Sequence, residues 1–117
     1  VREGVVGASF STSESREGSE LTVVAVGDVD LLSAPLLDRP VTQALDGGGV
    51  TRLVLDLRKV TFLASSGLAV LAEAHDRCDK LGVDYQVVVR EGSAAARALA
   101  VTRLDTVFEV ERVPADR

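Results

Sequence analysis

The 117-residue chain has no tryptophan and no methionine, and one cysteine and one histidine. A lone cysteine, Cys78, cannot close an internal disulfide, so nothing points to an oxidising compartment. One cysteine and one histidine give no cluster with metal-ligand spacing, which argues against a zinc site. Aromatic residues are scarce at 3%, so Val, Leu and Ala must fill the core by interdigitation. Positive charge is also short. The net charge is −5, and a phosphate backbone or anionic bilayer is held by Lys and Arg, so nucleic acid and membrane surfaces are poor partners. No window reaches the ~20 apolar residues of a spanning helix, and the opening VREGVVGASFSTS lacks the apolar stretch of a signal peptide. The expectation is a cytoplasmic protein.

What is present is a hydrophobic content of 46% in a chain of single-domain length. STSESREGSE reads as a polar loop or hairpin turn, with a short edge strand before it near residues 8–11. Leu21–Val26 is a β-branched run closed by Gly27 and Asp28, the pattern of a strand buried on both faces. A helix should follow, capped by Ser33, with Pro35 in its first turn and a kink or late start at Pro40; Gly47–Gly49 stops it. Thr51–Leu57 is a second buried strand. Ser66–Leu81 is helical, with Val70, Leu71, Ala74, Cys78 and Leu81 on one face, and Gly82 ends it. Val83–Val89 is a third strand, a short helix starts near Ser93, and Thr106–Val110 is a last strand before a fraying tail. Alternating strands and helices predict an α/β fold, a mixed, mostly parallel sheet of four to five strands with helices packed on it.

Two adjacent hydroxyls, Ser65 and Ser66, stand in FLASSGLAVLAEA at a strand–helix joint. A hydrolase nucleophile is disfavoured: glycines do not flank either serine at the spacing of a nucleophile elbow, and His75 lies ten residues along the helix, ~15 Å from Ser65 at ~1.5 Å per residue. Gly47–Gly49 leads into a strand with no Gly-Lys-Ser/Thr, so it is a loop and not a phosphate cradle. His75 reads as a boundary residue and Cys78 as a small core hydrophobe. Asp28 and Asp30 read as turn acids able to touch a partner, and Asp56 as a structural acceptor near a strand end. One of the two serines is expected to cap the helix, and Gly67 to leave its N-terminus uncrowded. Backbone amides and the helix dipole favour an anion there, and a phosphate added to a serine brings about −1.5 to −2 charges.

LVLDLRKVTFLASSGLAVLAEAHDRCDKLGVDYQVVV resembles the core of the STAS domain, specifically the bacterial anti-sigma factor antagonists. LTVVAVGDVDLLSAPLL resembles that family's opening strand, acidic turn and helix, and ARALAVTRLDTVFEV its closing helix and strand. The likeness implies a single STAS-like domain over residues 1–117, with its core at about 8–111. It also implies a non-enzymatic, cofactor-free protein that binds an anti-sigma factor with serine kinase activity, frees a sigma factor, and lets go when phosphorylated; a phosphatase reverses the mark. Ser65 matches the phosphorylated serine, with Ser66 as the fallback acceptor. Asp28, Ala64, Ser65, Ser66 and Gly67 fall on the implied partner surface. Ala64 stands where the family pattern usually has Asp. An alternative is an unphosphorylated STAS-like scaffold, or a regulatory subunit of a stress-sensing assembly or transporter.

Overall fold

A computed structural model describes residues 10–115. These form five strands, β1 (Phe10–Glu17), β2 (Glu20–Val29), β3 (Arg52–Leu63), β4 (Asp84–Arg90) and β5 (Glu109–Val113), and three α-helices, α1 (Ala34–Gly47), α2 (Ser65–Leu81) and α3 (Ala94–Val101). The sheet order is β1-β2-β3-β4-β5; β1 is antiparallel to β2, and the other pairs are parallel. Each crossover steps to the adjacent strand in one direction. Right-handed crossovers of that kind lay successive helices on one face. Burial agrees: Leu37 and Val41 of α1, Leu71 and Cys78 of α2, and Ala95 and Leu99 of α3 share one core with Leu21, Val23, Leu53, Leu55, Val87 and Val89 of the sheet.

The two-faced burial expected for the first buried run holds only on one side. In β2, Leu21, Val23 and Ala25 are buried, while Thr22 and Val24 are half-buried and Val26 is exposed, because the helices cover the other face. Only the centre of β3, Leu53–Leu57, is buried on both faces. The residues read as a polar loop, Ser11–Glu17, are instead strand: β1 pairs with β2 along its whole length, with the turn at Gly18 and Ser19. Its polar sequence suits an edge strand, whose open side faces water. The final strand lies three residues later than the pattern suggests. Arg103 adopts φ 62° and a 3-10 turn covers Leu104–Thr106, so pairing starts at Glu109 and takes in Glu111, Arg112 and Val113 of the tail expected to fray.

Helix α1 runs through Pro40 with no late start. Ser33 occupies its N-cap position, but its hydroxyl accepts from the Asp30 amide and donates to the Asp28 carbonyl rather than capping helix amides. Arg77 of α2 ties the two helices together, reaching Asp46 at 2.7 Å and Thr42 at 3.0 Å. At the other end of α2, Gly82 takes φ 71°, the left-handed geometry that stops a helix. The cap of α3 is as expected: Ser93 Oγ accepts from the Ala96 amide at 3.1 Å.

Candidate functional site

Strands β2 and β3 end side by side. Asp28 pairs with Phe62 and Val29 with Leu63, and the Ala64 amide then donates to the Val29 carbonyl at 2.8 Å. The turn from β2 into α1 and the start of α2 therefore form one rim at the carboxyl ends of two parallel strands. Open parallel sheets place their functional crevices there.

The serines differ. Ser65 is the first residue of α2 and is exposed. Ser66 is half-buried, and its Oγ is buried without a hydrogen-bond partner. The expected serine cap is absent. Ala64 holds the N-cap position with φ −82° and ψ 172°, no side chain caps the helix, and no acid sits in its first turn. The chain enters α2 one residue too early for a serine oxygen to reach back to the N2 or N3 amide. The Gly67 amide turns back to the Ala64 carbonyl at 3.0 Å, but no side chain or acid offsets the positive end of the helix dipole at this N-terminus.

Gly67 is not the open position its small size suggests. A Cβ there would lie 2.6 Å from Leu63 Cδ1 and 2.6 Å from Val29 Cγ1, both on buried residues. The glycine lets the start of α2 press against the ends of β2 and β3, which presents Ser65 at the rim.

Asp28 lies within β2, half-buried, and accepts from Thr61 Oγ1 at 2.5 Å. Asp30 organises the turn: its carboxylate accepts from the Leu32 and Ser33 amides, both at 3.0 Å, and from Ser33 Oγ. The Ser33 hydrogen bonds, foremost, hold its pKa below the usual carboxylate value. Held by this turn, Leu31 and Leu32 project outward, 77% and 85% exposed; Phe62, on the neighbouring strand, is 51% exposed. Sequence reading missed these three. Their signal was an apolar pair inside an acidic turn, outside both the strand and the helix period.

The other candidates lie elsewhere. Asp56 is in the middle of β3 rather than near its end, and serves Arg58, not loop amides. Arg58 donates from its backbone and guanidinium at 2.8–3.2 Å. Burial pushes the Asp56 pKa up, but the Arg58 hydrogen bonds and charge prevail and hold it below its ordinary value. Cys78 is buried, and desolvation raises its thiol to about 11, the behaviour of an inert core residue. His75 is half-buried against the rings of Tyr85 and Phe108. Among the described residues no group of three His, Cys, Asp or Glu side chains could hold a metal, and no helix is long and apolar enough to cross a membrane.

A mixed five-stranded sheet with helices packed on it presents a hydroxyl at the start of a helix, at the end of the sheet that also carries exposed apolar side chains. The chain belongs to the STAS domain family, whose model matches residues 13–116. Among curated relatives, the anti-sigma-F factor antagonist RsfB of Mycobacterium tuberculosis is 33% identical over 84 residues, 72% of this chain and 66% of that protein. The chain therefore spans just under two thirds of that relative's length. The crystal structure of an anti-sigma factor antagonist from Mycobacterium paratuberculosis superposes with a TM-score of 0.80 at 30% identity, covering 88% of this chain and 86% of that one. The Bacillus cell fate determinant SpoIIAA in its phosphorylated form shares the fold, with a TM-score of 0.65 at 13% identity over 92% and 93% of the two chains.

Proposed function

We propose that this domain is an anti-sigma factor antagonist in the cytoplasm. It binds an anti-sigma factor with serine kinase activity and is released when Ser65 is phosphorylated. The observation that carries this reading is the exposed Ser65 at the start of α2, at the same end of the sheet as the exposed side chains of Leu31, Leu32 and Phe62. Apolar side chains of this size supply the buried core of a protein interface. A dianion introduced at its edge must be desolvated or repelled when the partner docks, so binding fails without any change of fold. The names of the curated relative and of the 30% identical structure support the partner class. Ser66 is the weaker acceptor, because a kinase needs the hydroxyl that Ser66 buries. In this reading Asp28 and Ala64 border the contact, and Gly67 contributes through the close approach beneath it. A phosphatase resets the switch.

Incubation with the cognate kinase and ATP, followed by intact-mass measurement and partner titration, tests the reading. One phosphate is expected on the wild type and on Ser66→Ala, none on Ser65→Ala, with loss of partner affinity on modification. Phosphate on Ser65→Ala with undiminished affinity of the modified wild type would sink the switch and favour an unphosphorylated scaffold.

A further inference from the structure

The upper half of β3 departs from the two-residue alternation of a strand. Arg58 and Lys59 are exposed, Val60 is buried, Thr61 and Phe62 are exposed, and Leu63 is buried. The pairing with β2 supplies the cause. β2 advances from Val24 to Val26 while β3 advances from Asp56 to Lys59, and β2 advances from Gly27 to Asp28 while β3 advances from Val60 to Phe62. Each step inserts one extra β3 residue, so two bulges stand in the strand that leads to Ser65. Bulges re-aim side chains and are concentrated beside functional sites. Here they turn Val60 and Leu63 into the core and leave two outward pairs, Arg58 with Lys59 and Thr61 with Phe62.

The outward pairs join the face of the sheet opposite the helices. Val54 is buried but stands outside the core that the three helices share, and Val24, Val26 and Val88 stand outside it too. The register aligns Val24, Asp56 and Val88 in one row across β2, β3 and β4, and Val26 with Lys59 in the next. Parallel strands are as a rule covered on both faces, and every pair from β2 to β5 is parallel. Towards the carboxyl ends this face is open: Val26 is 39% exposed, and Phe62, opposite Asp28, is exposed at the rim itself. Phe62 belongs to both surfaces, so the bare face continues into the rim. Its charge also departs from that of the chain, which is −5. Arg58 is held by Asp56, while Lys59, beside Val26, makes no ion pair among the described residues.

We propose that the anti-sigma factor partner covers this end of the bare face as well as the rim, packing apolar side chains on Val26 and Phe62 and setting a carboxylate against Lys59. The inference rests on the partner reading above and extends the contact from the turn and helix start to the bulged strand. The test is calorimetric titration of the full, unphosphorylated chain with the anti-sigma factor kinase that marks Ser65, in the absence of ATP. Lys59→Glu weakens binding about tenfold and Val26→Ser about three- to tenfold. Glu109→Gln, on the β5 side of the same face, binds as the wild type does. Leu31→Ser with Leu32→Ser probes the rim alone. If that pair weakens binding while Lys59→Glu and Val26→Ser do not, the inference is overturned and the partner reading stands. If no kinase marks Ser65, or if no variant of either surface changes affinity, both are overturned. A loss confined to Lys59→Glu that vanishes at high salt makes Lys59 a steering charge outside the contact and overturns the docking. Sedimentation velocity of the chain alone tests the other occupant: a dimer that Val26→Ser dissociates assigns the face to a second copy and overturns the proposal. Urea midpoints confirm that each variant is folded.

Discussion

Gly67→Ala sets helix propensity against packing. In an exposed helix the substitution gains about 1 kcal/mol, since glycine is the more flexible residue. Gly67 sits in the first turn of α2, and the new Cβ would meet Leu63 Cδ1 and Val29 Cγ1 at 2.6 Å each and Val29 Cβ at 3.2 Å. Comfortable carbon–carbon separations are ~3.5–4.0 Å, so the helix start must retreat by about 1 Å or two side chains must leave their rotamers. Neither has room: Val29 is fully buried and branched at Cβ, and Leu63 is 5% exposed. Overpacking of this kind costs about 1–3 kcal/mol, and two hard contacts put it in the upper part of that range. The expected net effect is a loss of roughly 1–2 kcal/mol, read as a lower midpoint in equilibrium urea denaturation with an unchanged slope. Gly47→Ala is the internal control. It lies at the end of α1 with nothing within 4 Å of its Cβ position, so the same substitution should gain a few tenths to about 1 kcal/mol there. If Gly67→Ala matches or exceeds the wild type in stability, the close approach that positions Ser65 is wrong.

Ser66→Ala removes a buried hydroxyl that has no partner, and should raise stability by up to about 1 kcal/mol in the same denaturation assay. Leu31→Ser with Leu32→Ser leaves stability within about 0.5 kcal/mol, because both side chains are exposed. The pair should nevertheless weaken partner binding about tenfold or more by calorimetry, as truncated interface anchors do. The raised Cys78 pKa fixes an alkaline limit. Its contribution is full below the ordinary value of 9.0 and is lost as pH rises towards about 11, a span of about 2–3 kcal/mol. Urea midpoints measured from pH 8 to 11 should fall accordingly, and Cys78→Ala should flatten that fall. Asp56 acts at the other end: its pKa is lowered, so its stabilisation is present above its unfolded value near 3.8 and disappears as pH falls below it. Asp56→Asn should shrink the acid-side loss.

Most of the fold could be read from periodicity because each buried element carries its own signal. Val70, Leu71, Ala74 and Cys78 mark one buried helical face, and Gly82 ends the helix with a left-handed turn; Leu81, read onto the same face, is exposed because it lies in the last turn, beyond the core. The misreadings occur where local composition and tertiary pairing disagree. FSTSESRE has little β propensity, yet β2 supplies it with a complete hydrogen-bonded partner. Val24 and Val26 look like core in a run of apolar residues, but the sheet has helices on one face only, a property of the crossovers and not of β2. At the rim, the serine pair was conspicuous in the sequence, but which serine faces water was decided by where α2 begins, one residue earlier than the helical pattern suggested. Leu31, Leu32 and Phe62 escaped notice because an apolar residue in sequence is assumed to be inside; the Asp30 turn holds Leu31 and Leu32 outward, and Phe62 is exposed near the end of β3.

The uncapped start of α2 gives the proposed switch a thermodynamic signature. A negative charge at a helix N-terminus contributes about 0.3–1 kcal/mol, and a phosphate carries more charge and three strong acceptors. Ala64 offers the first-turn amides no side-chain oxygen, and no acid lies in that turn. A phosphate on Ser65 would therefore do the work of the missing cap, so modification should raise the melting temperature by a few degrees while it abolishes partner binding. The aspartate that usually precedes the two serines in this family would accept from the same amides and repel the phosphate. Ala64→Asp should accordingly stabilise the unmodified domain by about 0.5–2 kcal/mol, the worth of an N-cap. It should also reduce the further gain on phosphorylation. Thermal melts of the wild type and Ala64→Asp, each with and without phosphate, measure both effects and their coupling. A phosphorylated wild type that melts lower than the unmodified protein would show that the charge acts by loosening the helix, and that release of the partner is a change of fold rather than a blocked surface.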